Sequence, residues 1–338
     1  MLKKPLVTVV MPIYNGEVHL ETAIKSILNQ TYPDFELLIL DDASTDSSLK
    51  IIKSFNDPRI RLIQNEANAG LNKTLNIGLA AAHSVYIARM DQDDISHPER
   101  LKKQIAYLEQ NPEIGVCGTA VEFLAKTGKK TNLIFPTGNN LIKWAFCFYN
   151  PIAHPTVMMR KKIVEQVNGY STLEHTHYTE DYDLWYRLLP ITKFHNLEEP
   201  LLTLRKHESN MTVKNLEKNL QNAGTVNKNF LEYFLNHKIQ WDLMNKLNTK
   251  NEIYFNHVIS TIIELVKNFK IIQNLSREEQ KFITFDAARR LVNLFLINLK
   301  NKSSWKFLKT ALNIDPLLPI HYLLNFFKSA NSNAYRKE

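Results

Sequence analysis

The chain has 338 residues, which suits one large or two medium domains, with 44% hydrophobic and 22% charged residues and a formal net charge of +8. Nine glycines and the lack of any low-complexity run argue against extensive disorder. Two distant cysteines, Cys117 and Cys147, exclude a disulfide framework or a cysteine-rich zinc site and fit a reducing compartment, and no stretch reaches the ~18 apolar residues of a membrane-spanning helix.

The opening apolar run at residues 6–11 follows Lys3 and Lys4 and is broken by Pro12 and Asn15. It reads as a strand rather than a signal peptide, so the expected location is the cytoplasm. Residues 18–28 place Val18, Leu20, Ala23, Ile24, Ile27 and Leu28 at a helical period. Residues 35–40 predict a second strand, 47–55 a helix, 60–63 a third strand, 71–82 a helix, 85–90 a strand and 99–108 a helix. Repeated strand–helix units imply the α/β class, a mostly parallel sheet flanked by helices. From residue 113 the pattern loosens: 116–124, 156–159 and 201–204 read as strands, 141–148 and 182–189 as helices. After residue 210 there is one glycine, Gly224, and only Pro316 and Pro319 as prolines. Apolar residues there recur at helical spacing, which predicts an all-helical C-terminal region with breaks near 237–250 and 272–278. The expected division is therefore 1–210 and 211–338.

The most informative local feature is the run Asp91-Gln92-Asp93-Asp94, between a predicted strand and the helix start Ser96-His97-Pro98-Glu99. It falls at the C-terminal edge of the sheet, where open α/β folds bind ligands. Hard divalent cations such as Mg²⁺ take carboxylate and phosphate oxygens, so the run suits a metal–diphosphate site. A solvated turn capping the next helix is the alternative. MPIYNG at 11–16 and LDDASTD at 40–46 end the first two strands at the same edge. There Tyr14 suits stacking on a base, and a carboxylate suits hydrogen bonds from a base or ribose. The plainer reading of 41–46 is an Asx-turn and helix cap. No GxGxxG or GxxxxGK[ST] follows the first strand, which counts against dinucleotide dehydrogenases and P-loop enzymes.

The segments VVMPIYNGEVHLETAIKSILNQTY, FELLILDDASTD, NAGLNKTLNIGLAAA, YIARMDQDDISHPERLKKQ, HPTVMMR and TEDYDLWYRL occur in that order. Together they resemble the nucleotide-sugar glycosyltransferases of family 2, which have the GT-A fold, over residues 5–207. The resemblance implies inverting transfer of a sugar from a nucleotide diphosphate, most often UDP, to an acceptor hydroxyl, with Mg²⁺ or Mn²⁺ on the diphosphate. Pro12, Tyr14, Asn15 and Asp42 match base and ribose contacts. Asp91 matches the ribose or sugar contact, Asp93 the metal ligand, and Asp94 a group that orients the sugar. Asp181 in Thr179-Glu180-Asp181 matches the general base, with Glu180 and His154 on the acceptor side; a hydrogen-bonded structural role suits His154 equally. Arg205 matches a diphosphate contact and His207 a further metal ligand. Many relatives carry an arginine near Asn76, where this chain has Leu75, so Lys73 is the candidate phosphate contact there.

The resemblance points to surface-polysaccharide or lipid-linked glycan synthesis, with a nucleotide-sugar donor and a glycan or lipid-linked acceptor. A binding protein without turnover and a sugar-phosphate nucleotidyltransferase are the rivals; the second is disfavoured by Tyr14-Asn15-Gly16 in place of a glycine-rich loop. Residues 211–338 hold 19 Lys and Arg against 10 Asp and Glu, a net of +9. No nucleic-acid motif accompanies that charge. It suits peripheral contact with an anionic membrane, with the apolar segment 317–328 as an interfacial stretch, or packing within the chain or in a homo-oligomer. Trp144, Phe146, Phe148 and Tyr149 read as a core helix, or alternatively as a sugar platform.

Overall fold

The computed structural model describes residues 4–125, 127–205, 215–239, 252–298 and 301–318. Strands β1 (Val7–Ile13), β2 (Phe35–Asp41), β3 (Ile60–Gln64) and β4 (Tyr86–Arg89) pair in parallel, with β1 between β2 and β4. Helices α1 (Leu20–Leu28), α2 (Ser48–Lys53) and α3 (Leu71–Ala81) connect them. Both faces of β1 are buried, as expected for a central strand covered by helices. Pro12 is tolerated there for a local reason. The Val10 carbonyl accepts from Met90 N, so by the alternation of a strand Pro12 faces the same side, where the β4 pairing has ended and no ladder donor is needed.

The second half of the sheet is mixed. β5 (Ile95–Ser96) precedes α4 (Arg100–Gln110), and β6 (Ile114–Leu124) and β7 (Lys130–Leu133) precede α5 (Asn139–Phe146). Next come β8 (Met158–Arg160), α6 (Lys161–Gln166), α7 (Glu180–Leu188) and β9 (Lys193–Arg205). The nine-stranded sheet runs β3-β2-β1-β4-β8-β6-β9-β5, with β7 on β6. β8 is antiparallel to β4 and β6, whereas β9 runs parallel to β6. Sequence reading missed β5, β7 and α6 and shortened β9. Pro200 interrupts the β9 pattern, and a register shift against Thr119 and Ala120 absorbs it.

The chain forms two compact units, Met1–Ile142 with Asn150–Asn222, and Lys143–Tyr149 with Ala223–Glu338. The first holds the whole sheet. The helices of the C-terminal region are α8 (Leu216–Leu235), α9 (Glu252–Ile272), α10 (Arg277–Ile297) and α11 (Trp305–Ile314). A capping box, Ser276 with Glu279, starts α10. Of the aromatic cluster, Trp144, Phe146 and Phe148 are core rather than a sugar platform, and Tyr149 is exposed. Trp144 is buried and donates to Asp286 Oδ2 at 2.8 Å, and Phe146 stacks on Phe230. Phe148 lies under the Arg290 guanidinium, 3.7 Å from ring centroid to carbon. These residues close the second unit. Among the described residues no helix is long and apolar enough to cross a membrane. Of the segment 317–328, only Leu317 and Leu318 fall within the described residues.

Candidate active site

Parallel pairing brings the C-terminal ends of β1, β2 and β4 to one edge, with Ile13 opposite Asp41 and Val10 opposite Arg89. The three following turns are tied together. Tyr14 N donates to Gln92 Oε1 at 2.9 Å, and Gln92 Nε2 returns a bond to the Tyr14 carbonyl at 3.2 Å. Asn15 N donates to Ser44 Oγ, and Asn15 Oδ1 accepts from Thr45 N. A Cβ at Gly16 would lie 2.6 Å from Gln92 Oε1, so only glycine leaves room for this clasp. Asn15 and Ala43 both hold left-handed backbone, a strain that recurs at binding sites. Tyr14 itself remains 47% exposed, available for stacking.

Asp41 and Asp42 are both buried. Asp41 accepts from Ser44 N and Gln64 Nε2. Asp42 accepts from Asn65 Nδ2 at 2.7 Å, Ala69 N at 2.8 Å and Gly70 N at 2.9 Å. Its first task is thus to anchor the loop that leads into α3. Asp42→Ala is expected to cost about 1–3 kcal/mol of stability by leaving those buried donors unmet, in addition to any weakening of nucleotide binding. Denaturant melts and UDP titration separate the two effects, with Tyr14→Ala as the comparison that should weaken binding and leave the melt unchanged. A wild-type melt for Asp42→Ala would overturn the anchoring role.

Asp91, Asp93 and Asp94 bring carboxylate oxygens within 4.8 Å of one another. Asp94 is buried and accepts from Arg205 N at 3.2 Å. Burial, then the charges of Asp91 and Asp93, push its carboxyl well above the usual range. An all-oxygen cluster whose members repel one another fits Mg²⁺ or Mn²⁺, since a divalent cation removes the repulsion that raises these groups. Two buried arginines frame the cluster, and neither was foreseen. Arg89 pairs with Asp91, and its Nε has no hydrogen-bond partner among the described residues. Arg100 donates to the Arg89 carbonyl and lies 3.5 Å from Met90 Sδ. Burial, and then the charge of Arg89, lower its pKa to about 9. Gln104, bonded to Arg100, also donates to the Cys117 and Thr156 carbonyls, which fixes the acidic turn to the sheet. Arg205 Nη1 bonds His19 Nδ1 at 2.8 Å.

The antiparallel β4–β8 ladder carries the segment around His154 to this edge, where Arg89 N donates to the Val157 carbonyl. His154 is buried. Its Nε2 is 2.9 Å from Tyr170 Oη and its Nδ1 3.9 Å from Glu180 Oε1. Burial and the nearby Arg89 charge keep it neutral, far below the usual histidine range. Tyr170 is pinned by Asn76, which accepts from Tyr170 N and donates to its carbonyl.

Glu180 and Asp181 open α7. Asp181 Oδ2 accepts from Asn150 Nδ2 at 2.7 Å, and Asp181 Oδ1 from Tyr182 N at 2.7 Å. Its enclosure raises its pKa to about 6. Glu180 is buried with Oε2 unpartnered among the described residues; burial, and then the charge of Asp181, raise it to about 8. Asp181 has two donors on its oxygens, Asn150 Nδ2 and Tyr182 N, which favour its charged form, whereas Glu180 Oε2 has none among the described residues. Asp183 is committed elsewhere, to Arg187 Nε at 2.8 Å. Arg89 lies within electrostatic reach of Asp91, Glu180, Asp181, His154 and Tyr170, so one buried cation sits between the acidic turn and the Glu180–Asp181 pair. Arg89→Met should cost about 3 kcal/mol, the scale of removing one partner of a buried ion pair; a denaturant melt unchanged from wild type would contradict this.

The structure thus gathers Pro12, Tyr14, Asn15, Asp42, Asp91, Asp93, Asp94 and Arg205 around tied turns, and brings His154, Glu180 and Asp181 together. Lys73 is exposed on the first turn of α3, beside buried Leu75. His207 lies outside the described residues. The helix-start pattern HPER could have flagged Arg100, but nothing local marks Arg89 as buried.

Residues 8–167 match the family model described as Glycosyl transferase family 2. The putative glycosyltransferase EpsE of Bacillus subtilis (strain 168) is 37% identical over 226 residues, 66% of this chain and 81% of that protein. The O-antigen biosynthesis glycosyltransferase WbnJ of Escherichia coli is 34% identical over 208 residues, 60% of this chain and 80% of that protein. Among solved structures, S. aureus TarS 1–349 in complex with UDP-GlcNAc shares the fold with a TM-score of 0.57. It is 17% identical, over 94% of this chain and 92% of that one. With residues 8–167 matching the family model and a relative 37% identical over 81% of its own length, the chain belongs to glycosyl transferase family 2.

Proposed function

We propose that this glycosyltransferase moves a sugar from a nucleoside diphosphate sugar, a UDP-sugar, to an acceptor hydroxyl with inversion, in the cytoplasmic synthesis of surface polysaccharide or a lipid-linked glycan. The observation that carries the reading is that the Asp91–Asp94 turn and the Glu180–Asp181 pair both lie within electrostatic reach of buried Arg89. WbnJ, named for O-antigen biosynthesis, supports the pathway class.

In this reading Tyr14 stacks on the base, with Pro12, Asn15 and Asp42 shaping the base and ribose pocket. Asp91 meets the ribose or sugar, and Asp94 orients the sugar. Lys73 and Arg205 face phosphate. Asp93, with His207, would hold Mg²⁺ or Mn²⁺. When bound, the cation supplies positive charge that stabilises the departing diphosphate. The acceptor oxygen attacks the anomeric carbon from the face opposite the diphosphate. The new C–O bond forms as the sugar–phosphate bond breaks, and the hydroxyl proton passes to Asp181. Asp181 suits that role better than Glu180 because hydrogen bonds from Asn150 Nδ2 and Tyr182 N favour its charged form, whereas Glu180 and His154 shape the acceptor side. Residues 1–210 carry this chemistry, and the helices of 211–338 serve acceptor, membrane or oligomer contacts.

The test is release of UDP, GDP and dTDP from a panel of donor sugars, with Mn²⁺ or Mg²⁺ and with chelator. Metal-dependent UDP release from one donor is expected. Tight UDP-sugar binding with no release under any acceptor would make the chain a binding protein, and release of GDP or dTDP alone would correct the donor.

A further inference from the structure

The end of α10 and the start of α11 make a corner that is apolar at its tip and basic around it. Leu296 is 44% and Ile297 63% exposed at the end of α10, and Trp305 is 60% exposed at the start of α11. Exposed Leu312 shares a face of α11 with Trp305 and Lys309, at helical spacings of seven and three. Trp305 rests against Phe295, ring centroids 4.8 Å apart, so the indole stands on a buried base. Backbone bonds brace the turn: Asn301 N donates to the Asn298 carbonyl at 2.8 Å, and Ser304 N to the Asn301 carbonyl at 2.9 Å.

The charge along the segment that forms this tip has one sign. Residues 287–314 contain Arg289, Arg290, Lys300, Lys302, Lys306 and Lys309 and no Asp or Glu. Arg289 and Arg290 turn inward to Asp286, while Lys302, Lys306 and Lys309 are exposed. A second copy of the chain docking here through a two-fold axis would set the lysines of this segment against their own copies. A nucleic acid would answer the lysines but leave Leu296, Ile297 and Leu312 with nothing apolar to meet. A bilayer answers both: phosphates for the lysines, acyl boundary for the aliphatic tip, and the headgroup level for an indole.

We infer that the α10–α11 corner is a shallow anchor for an anionic lipid bilayer, with Trp305, Leu296 and Ile297 entering the interface and Lys302, Lys306 and Lys309 meeting lipid phosphate. The anchor lies within the second compact unit and stands independently of the transfer chemistry.

The experiment is co-sedimentation of the full chain with phosphatidylcholine vesicles, with and without phosphatidylglycerol, at low and high salt. Wild type should pellet with the anionic vesicles at low salt and be released by high salt. Trp305→Ser should weaken partitioning about tenfold, and Lys302→Glu, Lys306→Glu and Lys309→Glu combined roughly a hundredfold. All of these positions are exposed, so melting temperatures should match wild type. Donor turnover without vesicles, read on the same samples, should be unchanged; a chain that pellets but turns over no donor would sink the transfer reading and leave the anchor standing. Equal recovery with and without vesicles, or binding indifferent to both variants, would overturn the anchor. So would sedimentation velocity showing a dimer that Trp305→Ser splits, since the corner would then be a contact between copies.

Discussion

Asp181→Asn should bind donor and metal as wild type does and transfer sugar about 10²–10⁴-fold more slowly, the range for loss of a general base. Asparagine can still accept from Tyr182 N and keeps the size of aspartate, while it loses the bond from Asn150 Nδ2 and the ability to accept a proton. The pH dependence follows from the same carboxyl. Its pKa is about 6, so kcat/KM of the wild type should fall as pH drops through 6, where the base becomes protonated. The folded pKa lies above the ordinary 3.8, so the folded chain binds more protons than the unfolded chain between those values. The stability contributed by the protonated form is therefore present at low pH and lost as pH rises through that window. A neutral asparagine removes this cost, which offsets the lost bond from Asn150, so the variant should melt close to wild type at pH 7 while being nearly inactive. Asp183→Asn is the control. It loosens Arg187, which also holds the Val167 and Gly169 carbonyls, and should cost about 1–3 kcal/mol of stability with transfer largely retained. An active Asp181→Asn beside a dead Asp183→Asn would move the base to Asp183. If neither variant matters, the proposed mechanism is wrong.

The second large effect is expected at Asp93. Asp93→Asn removes one negative charge from the three carboxylates, and metal-dependent UDP binding should fall by more than about tenfold, since even outer partners of a bound metal cost that much. Calorimetry of UDP with Mn²⁺ reads the loss directly. Asp94→Asn is the informative comparison. Asp94 is buried and bonded to Arg205 N, and burial already disfavours its charge, so an amide there should disturb metal binding less. Equal Mn²⁺-dependent affinity in wild type and Asp93→Asn would remove Asp93 from the metal site.

The parallel half of the sheet was legible residue by residue because each element carries its own signal. β1, β2 and β4 are short buried runs and β3 a half-buried one, α1 to α3 are periodic, and the acidic and Asx turns between them have local chemistry that places them at strand ends. The break expected near 272–278 was legible for the same reason, as a capping box at Ser276, whereas most of the one expected near 237–250 lies outside the described residues and the interruption between Ile297 and Trp305 was missed. Tertiary structure decided the rest. The two-residue β5 exists only because Thr203 and Leu202 pair with it, and β9 runs through Pro200 only because β6 shifts register to receive it. Asp42 looked like a ligand-facing carboxylate, and its bonds to Asn65, Ala69 and Gly70 depend on a loop that arrives more than twenty residues later. Arg89 read as one residue of a strand, yet the β4–β8 ladder and the start of α7 enclose it between two acidic groups. Local sequence determines propensity, period and turn chemistry. Which charge is buried beside which depends on pairings across the sheet, and these are set by the free energy of closing the whole core rather than by any neighbouring residue.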